Sequence, residues 1–229
     1  MLTCFAGGTL LGVKLYRFDY SPYARKVQMT LDLCGLDYEI VDVPYGNREH
    51  LAELTGGYIA VPVLQDGDDV VTDSRRICER LATAHPETLV VDDATRGSVW
   101  AYADWCDSEL EDVLFRLAVP DLRGRFATAW ERSLFVYIKE RRYGAGCVDT
   151  WLAERPSLMK KAQRMLDATR ATLDARPFLF GAQPTLADAT LYGQLMMLEV
   201  ADELLPGRIS PTFHAYMRRL EASAAKATE

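Results

Sequence analysis

The strongest constraint on the fold is a strand, a helix and a second strand in close succession near the start of the chain. Val13–Phe18 and Tyr38–Val43 are rich in β-branched and aromatic residues, a composition typical of strands. Between them, Ser21 and Pro22 begin a helix and Gly35 follows its end, because Ser caps helices, Pro fits the first turn and Gly follows the last one. This spacing predicts a right-handed crossover between two parallel strands.

The segment that follows carries the signals of a β-hairpin flanked by helices. Val61–Gln65 and Val70–Thr72 are predicted strands, and the Asp66-Gly67 pair between them is a hairpin turn signal. Arg48–Leu54 precedes the hairpin as a short predicted helix, and Ser74 follows it as the predicted cap of a longer helix.

Pro62 opens a predicted strand, which is a position where its missing N–H interrupts no ladder. A cis peptide bond before Pro62 is expected to turn the backbone of Val61 outward. The N–H and C=O of Val61 are then available to pair with an extended peptide, which is recognition by strand addition.

The second half of the chain has the three-to-four-residue apolar period of amphipathic helices. The predicted helical faces are Val99–Leu117, Phe126–Ile138, Leu158–Leu173, Thr185–Leu205 and the segment from Pro211 onward. Pro120 is predicted to end the first of these helices. Thr185 and Asp188 resemble a capping box with Asp in place of the usual Glu, which predicts where the fourth helix begins.

Composition and charge narrow the functional classes. The 229 residues suffice for one large or two small domains, and 49% of them are hydrophobic, as in ordinary globular proteins. The net charge of −7 argues against nucleic-acid binding, which depends on Lys and Arg. No apolar stretch approaches the roughly 18 residues of a membrane span, so no membrane partner is expected. Residues 1–12 are interpreted as a short extension before the first strand, not as an export signal.

The cysteines and histidines give no metal or dithiol signal. The five Cys are scattered without a Cys-x-x-Cys pair, and the three His lie far apart. Dispersed thiols in odd number are typical of a reducing compartment, so the chain is expected in the cytoplasm and without a bound metal. Cys147 follows a Gly-broken basic segment, and its thiol is expected to be packed and inert, with a reactive thiol as the alternative.

Four motifs together carry a family resemblance. They are Ser21-Pro22-Tyr23-Ala24-Arg25-Lys26-Val27, Val61-Pro62-Val63-Leu64, Asp73-Ser74, and Pro177-Phe178-Leu179-Phe180-Gly181 before the capping box. In this order and spacing they resemble the Ser-Pro-Phe-x-x-Arg-Val start, the cis-proline strand, the Glu/Asp-Ser pair and the Pro-Phe-Leu-x-Gly stretch of cytosolic glutathione S-transferases. The resemblance is to bacterial members with a serine-type (tau-, zeta- or phi-like) active-site motif, and it extends from residue 13 to about residue 220.

The resemblance implies an α/β domain followed by an all-α domain. A thioredoxin-like glutathione-binding domain is expected at residues 13–84, a linker at 85–93 and an all-helical glutathione transferase C-terminal domain at 94–229. It also implies an enzyme that activates the thiol of glutathione, its cosubstrate, for attack on a small hydrophobic electrophile. A homodimer with a role in detoxification is typical of the family. Isomerase, dehalogenase or peroxidase activity at the same site, or a non-catalytic binding module, remain alternatives.

The resemblance also assigns a role to Ser21. In serine-type enzymes this hydroxyl donates a hydrogen bond to the sulfur of glutathione, and the positive end of the helix dipole favours the thiolate. The alternative is that Ser21 is an ordinary helix cap and that Tyr16 or Tyr20 contacts the sulfur. No Cys lies at this helix start, which argues against the thiol-transferring, omega-like enzymes.

The other expected contacts to glutathione follow from the same motifs. Val61 and Pro62 would pair with the cysteinyl backbone, and Asp73 and Ser74 would hold the γ-glutamyl end. Arg48 is the candidate for the glycyl carboxylate. The family often places a second cation just before the Val-Pro pair, where this chain has an Ala, and this departure weakens the glutathione assignment.

Aromatic residues of the helical half are the candidates for the second-substrate pocket. These candidates are Tyr102, Trp105 and Trp130, with Phe115 and Tyr137 as further candidates. Aromatic residues at helical spacing also form ordinary helix core, so both interpretations stay open.

Overall fold

The structure is a computed structural model that describes residues 12–90 and 93–227. The extension predicted at residues 1–12 therefore lies outside the described residues except for its last residue. Residues 91–92 of the predicted linker and 228–229 at the C-terminus lie outside them as well.

The N-terminal part is a four-stranded mixed sheet with helices. Its elements are β1 (Lys14–Arg17), α1 (Pro22–Leu33), β2 (Glu39–Asp42), α2 (Glu49–Thr55), β3 (Val63–Asp66), β4 (Asp69–Thr72) and α3 (Ser74–Ala84). The strand order is β2-β1-β3-β4, with β1 parallel to β2 and antiparallel to β3. The predicted parallel crossover and the predicted hairpin are thus confirmed.

The rest of the described chain is helical. After a short α4 (Pro86–Leu89), the helices are α5 (Asp93–Trp105), α6 (Glu111–Leu122), α7 (Ala129–Tyr143), α8 (Cys147–Ala153), α9 (Arg155–Met165), α10 (Asp167–Ala175), α11 (Leu186–Ala201), α12 (Leu205–Ile209) and α13 (Pro211–Ala227). A π-helical turn at Cys106–Leu110 joins α5 to α6, and a 3₁₀ turn at Arg123–Arg125 follows α6. The expected fold class, a thioredoxin-like domain followed by an all-α domain, is confirmed.

Helix α11 is the central helix of the second half and lies directly against α1. Gly193 makes this approach possible, because a Cβ at that position would lie 2.3 Å from the Pro22 carbonyl oxygen and 2.9 Å from the Lys26 nitrogen. The start of α1, where Ser21 lies, is therefore held in place by a backbone contact between the two domains.

The predicted capping box at the start of α11 is present and fully buried. One carboxylate oxygen of Asp188 accepts hydrogen bonds from the Thr185 N–H at 2.8 Å and the Thr185 hydroxyl at 3.0 Å. The other accepts from the Leu179 N–H and the Tyr216 hydroxyl, each at 2.9 Å. Burial raises the pKa of Asp188 although these donors favour its ionised form. The box ties the loop before α11 and the last helix to the same carboxylate.

Several predicted helix ends are wrong. Helix α6 continues past Pro120 to Leu122, because a proline near the end of a helix removes a single backbone bond. The helix predicted at Leu158–Leu173 is two helices, α9 and α10, separated at Leu166. The helix predicted at Thr185–Leu205 ends at Ala201, before a separate α12.

The helical face predicted at Phe126–Ile138 is also wrong. Phe126 precedes the helix, whose N-cap is Thr128, and Trp130 and Ile138 are exposed on α7. Phe135 is the side chain of α7 that is fully buried instead. The inward face therefore centres on Phe135, with Leu134 partly buried beside it, and excludes Trp130 and Ile138.

Candidate active site

Ser21 lies at the N-cap of α1 and is 6% exposed. Its hydroxyl oxygen accepts a hydrogen bond from the Ala24 N–H at 3.3 Å, as expected of a helix cap. Because the oxygen accepts in this bond, the hydroxyl proton remains available for donation to another acceptor. The cap and the proposed sulfur contact are therefore compatible roles of one side chain.

The two tyrosines that were alternatives to Ser21 differ in their surroundings. The Tyr16 hydroxyl donates to the Gln65 Oε1 at 2.8 Å, and its ring is buried with Leu51 and Val63. Tyr16 is thus committed to the sheet. The Tyr20 hydroxyl has no hydrogen-bond partner among the described residues, and burial strongly raises its pKa, so it stays protonated. Tyr20 remains a second candidate for the sulfur contact.

The Val61–Pro62 peptide bond is cis, as expected from the sequence. Val61 lies before β3, which begins at Val63, so Pro62 interrupts no strand ladder. Within the described chain, the N–H and C=O of Val61 form no backbone hydrogen bond. Both groups are available to an added extended peptide.

The cap of α3 is Asp73, not Ser74 as predicted. One carboxylate oxygen of Asp73, Oδ1, accepts from the Arg75 N–H at 2.8 Å and the Arg76 N–H at 3.2 Å. Asp73 has φ 74°, the sole positive φ at a non-glycine among the described residues. Residues other than glycine rarely adopt a positive φ, and its occurrence at an exposed turn points to a functional constraint. Ser74 is the first residue of the helix and is buried.

Arg48 carries a positive charge without an acidic partner in the described part of the chain. Its Nη1 donates to the Ile59 carbonyl oxygen at 3.1 Å, and its guanidinium lies 4.8 Å from the Phe18 ring centroid and 5.0 Å from that of Tyr45. The bond to Ile59 brings the guanidinium beside the segment that leads to Val61. Arg48 thus supplies a cation near the position where the sequence has Ala60.

An aromatic cluster joins the two domains next to Ser21. Phe18, Tyr20 and Tyr45 come from the sheet domain, and Phe126 and Phe135 come from the helical domain. Tyr20 lies edge-on to Phe135 with 6.1 Å between ring centroids, and Tyr45 lies 4.8 Å from Phe126. A cavity of about 370 Å³ borders this cluster and has Phe18, Tyr20, Tyr45 and Phe126 among its lining residues. The cluster provides an apolar wall at the boundary between the domains.

The structure does not bring the three predicted pocket residues together. The Tyr102 hydroxyl is hydrogen-bonded to Thr169 at 2.9 Å, and Trp105 lies against the Tyr102 ring, so both take part in the packing of the helical domain. Trp130 is 65% exposed and lies beside Gly46 of the loop after β2. A Cβ added to Gly46 would lie 3.3 Å from the Trp130 Nε1. Of the three, Trp130 is the one in contact with the sheet domain.

Sequence reasoning missed a charged group at the same boundary. Lys139 is half-buried on α7, with its Nζ 4.2 Å from the Phe135 ring centroid. Burial, reinforced by the charges of Arg48 and Arg142, lowers the pKa of Lys139 to about 8. Burial raises the pKa of Glu111 on α6 to about 7, and the charge of Arg142 opposes this shift. The sequence did contain one signal of this group, because Phe135 and Lys139 are four residues apart and therefore lie on the same face of a helix.

Comparison with protein-family models finds two domains of one family in the expected order. The glutathione S-transferase N-terminal domain model matches residues 15–89, and the glutathione S-transferase C-terminal domain model matches residues 125–219. In the described chain no helix combines the length and hydrophobicity that crossing a membrane requires.

Curated relatives cover the chain to different extents. Glutathione S-transferase 4 of Zea mays is 37% identical over 83 residues, 34% of this chain and 36% of the maize protein. Maleylpyruvate isomerase of Ralstonia sp is 28% identical over 192 residues, 80% of this chain and 81% of that enzyme. The chain spans only part of the length of other curated relatives as well. For this maize protein and two further plant glutathione S-transferases, the matched region is 36%, 61% and 56% of the relative's length.

A solved structure shares the fold over nearly the whole chain. A glutathione S-transferase of Ceriporiopsis subvermispora in complex with glutathione superposes with a TM-score of 0.74 at 18% identity, covering 94% of this chain and 98% of that one. Two family models in the expected order, supported by this shared fold, show that the chain belongs to the glutathione S-transferase superfamily.

Proposed function

We propose that the protein is a glutathione transferase that activates the thiol of glutathione for attack on a small electrophile. The observation that carries the proposal is the Ser21 hydroxyl at the start of α1, which accepts the Ala24 N–H and keeps its own proton for donation. The sulfur of glutathione is the acceptor that this proton would serve.

The energetics of thiolate formation fit a single hydroxyl at a helix start. A free thiol has a pKa near 8.5, and the thiolate is the nucleophile. Lowering that pKa by about two units takes about 2.7 kcal/mol of preferential thiolate stabilisation. One hydrogen bond to a charged group supplies about 1.5–3 kcal/mol, and the helix N-terminus adds up to about 1 kcal/mol. The nucleophile belongs to the cosubstrate, so Ser21 acts as its activator and no protein base is needed.

The remaining glutathione contacts are proposed from the same set of residues. The open backbone groups of Val61, before Pro62, would pair with the cysteinyl residue as an added strand. The Asp73 Oδ2 makes no hydrogen bond in the described chain and would accept one from the γ-glutamyl ammonium group. Ser74, at the start of α3, would donate a hydrogen bond to the γ-glutamyl carboxylate. Arg48 would bind the glycyl carboxylate.

A glutathione-dependent isomerase is the second candidate function. Among the curated relatives reported above, the one with 80% coverage of this chain and 81% of its own length is named maleylpyruvate isomerase. Such a reaction begins with the same thiolate addition, so the glutathione site would be shared and the fate of the adduct would differ.

Assembly and location are proposed with the function. The family forms homodimers, and we propose the same for this chain, with domains at residues 13–84 and 94–229, a location in the cytoplasm and a role in detoxification. We propose Trp130 as a residue of the second-substrate pocket, because it lies at the boundary between the domains. Tyr102 and Trp105 are left out of that pocket because their contacts lie within the helical domain.

Glutathione-affinity retention followed by a conjugation assay with 1-chloro-2,4-dinitrobenzene tests the proposal. We expect retention, elution by free glutathione and formation of the conjugate. Retention without conjugation, combined with isomerisation of a cis-configured unsaturated keto acid, would favour the isomerase. A folded protein that is neither retained nor active would indicate a non-catalytic module and overturn the proposal.

A further inference from the structure

Lys139 shares a face of α7 with Phe135 and Arg142, which lie near residues at the start of α1. One turn before it, Phe135 contacts the Tyr20 ring. One turn after it, Arg142 lies close enough to Tyr23 for its charge to affect the pKa of that phenol. Residues three and four apart share a helix face, so Lys139 lies between two residues whose neighbours, Tyr20 and Tyr23, stand on either side of Ser21 in the sequence. The Lys139 side chain therefore lies on the face of α7 whose neighbouring residue Phe135 contacts the residue before Ser21.

The ammonium group of Lys139 has no acidic partner within ion-pair distance among the described residues. Its neighbours are the Phe135 ring at 4.2 Å and the Phe115 ring at 5.5 Å. Lysine is seldom buried without an acidic partner. The chain has 33 acidic residues and a net charge of −7, so the lack of a partner at Lys139 does not reflect a shortage of carboxylates. A half-buried cation held between aromatic rings and left unpaired is suited to a negatively charged guest.

The groups around Lys139 strengthen this preference. Arg48 at the start of α2 and Arg142 on α7 add positive charge, and together with burial they lower the pKa of Lys139 to about 8. Glu111 on α6 and Cys147 on α8 act in the opposite direction. At neutral pH Lys139 is still mostly protonated. Arg48 would be paired with the glycyl carboxylate of glutathione, and an anion bound beside Lys139 would relieve the remaining repulsion from Arg142.

We propose that Lys139 is the anion receptor of the second-substrate pocket, and that electrophiles with a carboxylate are preferred over their neutral counterparts. The inference rests on the proposed glutathione-dependent function and names its substrate class. Lys139 binds the carboxylate while the aromatic cluster of Phe18, Tyr20, Tyr45, Phe126 and Phe135 packs against the apolar part of the substrate.

The reaction with an enone that carries a carboxylate balances without any further reagent. The thiol proton of glutathione passes to solvent, and the thiolate sulfur forms a C–S bond to the alkene carbon β to the ketone. The π electrons of the alkene move onto the ketone oxygen as an enolate. A proton from solvent then adds to the α-carbon, so that glutathione and alkene combine with no change in overall charge.

A matched substrate pair tests the inference on the whole protein. 3-Benzoylacrylate carries a carboxylate next to an enone, and its methyl ester is the neutral counterpart. We expect the variant Lys139→Met to lower kcat/KM for the acid by about tenfold or more, the loss of a hydrogen bond to a charged group, and to change it for the ester by less than about threefold. Lys139→Arg should keep the preference, and Lys160→Met, at an exposed lysine of α9, should leave both substrates unchanged.

The outcomes separate this inference from the proposed function. Conjugation of the ester by the wild-type protein, with equal effects of Lys139→Met on acid and ester, would overturn the anion receptor and leave the transferase intact. Failure of the wild-type protein to conjugate either compound, while it still conjugates 1-chloro-2,4-dinitrobenzene, would overturn the anion receptor alone; failure with all three compounds and no retention on glutathione would overturn both.

The wild-type protein provides a second test that needs no variant. The ratio of kcat/KM for acid over ester should fall by about threefold or more as the pH rises from 7 to 9, because Lys139 loses its proton near pH 8. The titration of the glutathione thiol cancels in this ratio because both substrates use the same thiolate. Ionisation of Glu111 near pH 7 would add to the fall. A ratio that stays constant over this range would contradict the proposal.

Discussion

Lys26 of α1 and Asp107 of the helical domain form a buried ion pair across the domain boundary. Lys26 is 2% exposed, and its Nζ donates to the Asp107 Oδ2. The backbone oxygen of Asp107 also accepts a hydrogen bond from the Tyr23 hydroxyl at 3.3 Å. Asp107 belongs to the π-helical turn between α5 and α6, and such turns frequently occur at functional sites. This turn thereby fixes the helix that carries Ser21.

Removal of Lys26 tests the contribution of this pair. We expect Lys26→Met to lower the free energy of unfolding by about 3–5 kcal/mol, because it leaves the largely buried Asp107 carboxylate unpaired. The double variant Lys26→Met/Asp107→Leu should recover much of this loss, since no charge is left buried. Arg96→Met removes an exposed pair with Asp93 and should cost less than about 1 kcal/mol. Equal losses in Lys26→Met and Arg96→Met, measured by denaturant unfolding, would contradict this account.

Gly193 offers a test of the close approach between α1 and α11. A Cβ there would lie 2.3 Å from the Pro22 carbonyl oxygen, which is backbone and cannot move alone. Gly193→Ala is expected to destabilise the protein by about 1–3 kcal/mol and to lower conjugation activity, because shifting Pro22 also shifts Ser21.

Gly97 is the matched control for this variant. It is an exposed helical glycine of α5 with no heavy atom within 4 Å of an added Cβ. Gly97→Ala should stabilise the protein by about 1 kcal/mol, since Ala is the better helix former. Thermal unfolding of the two variants should therefore show opposite signs, and a neutral Gly193→Ala would exclude a tight helix contact.

The parts of the fold that could be predicted are those encoded by neighbouring residues. Ser21 and Pro22 begin α1 because a cap and a first-turn proline act within one helical turn. Thr185 and Asp188 begin α11 for the same reason. The error at Ser74, where the cap is Asp73, amounts to one residue and arises because Asp73 adopts a positive φ that sequence patterns seldom indicate.

The parts that could not be predicted depend on which helix faces which. The proposed role of Lys139 depends on which face of α7 contacts the sheet domain, and the spacing of apolar residues had indicated a different inward face for α7. The engagement of Tyr102 with Thr169 depends on how α5 packs against α10, more than sixty residues away. Such contacts result from tertiary packing, which local sequence periodicity does not encode.

Ser21→Ala and Tyr20→Phe together identify the group that contacts the sulfur. Ser21→Ala is expected to lower kcat for conjugation at least tenfold, about the value of one charge-assisted hydrogen bond, and to cost about 1–2 kcal/mol of stability as a lost cap. Tyr20→Phe keeps the aromatic cluster and should leave kcat within about threefold. The reverse result would assign the sulfur contact to Tyr20, and it can be read from the pH dependence of kcat in the two variants.

Arg48→Met tests the proposed contact to the glycyl carboxylate. Met keeps an apolar side chain over the Phe18 and Tyr45 rings and removes the charge. The KM for glutathione is expected to rise about tenfold or more with little change in kcat, because a ground-state contact to a charged group is lost. Arg164→Met, at an exposed arginine of α9, is the control that should leave KM unchanged. An unaltered KM in Arg48→Met would remove Arg48 from the glutathione site.

The buried carboxyl group of Glu111 is expected to make the free energy of unfolding depend on pH. Burial raises its pKa from 4.5 to about 7, so the folded protein binds its proton more tightly than the unfolded chain does. Stability from this group is therefore present below about pH 4.5 and is lost as the pH rises towards 7. Glu111→Gln should increase the free energy of unfolding at pH 8 by up to about 3 kcal/mol and have little effect at pH 4.5. Glu109→Gln, at an exposed neighbour, should change stability by less than about 0.5 kcal/mol at either pH. If denaturant unfolding shows the same effect for Glu111→Gln at both pH values, the buried carboxylate is not the cause.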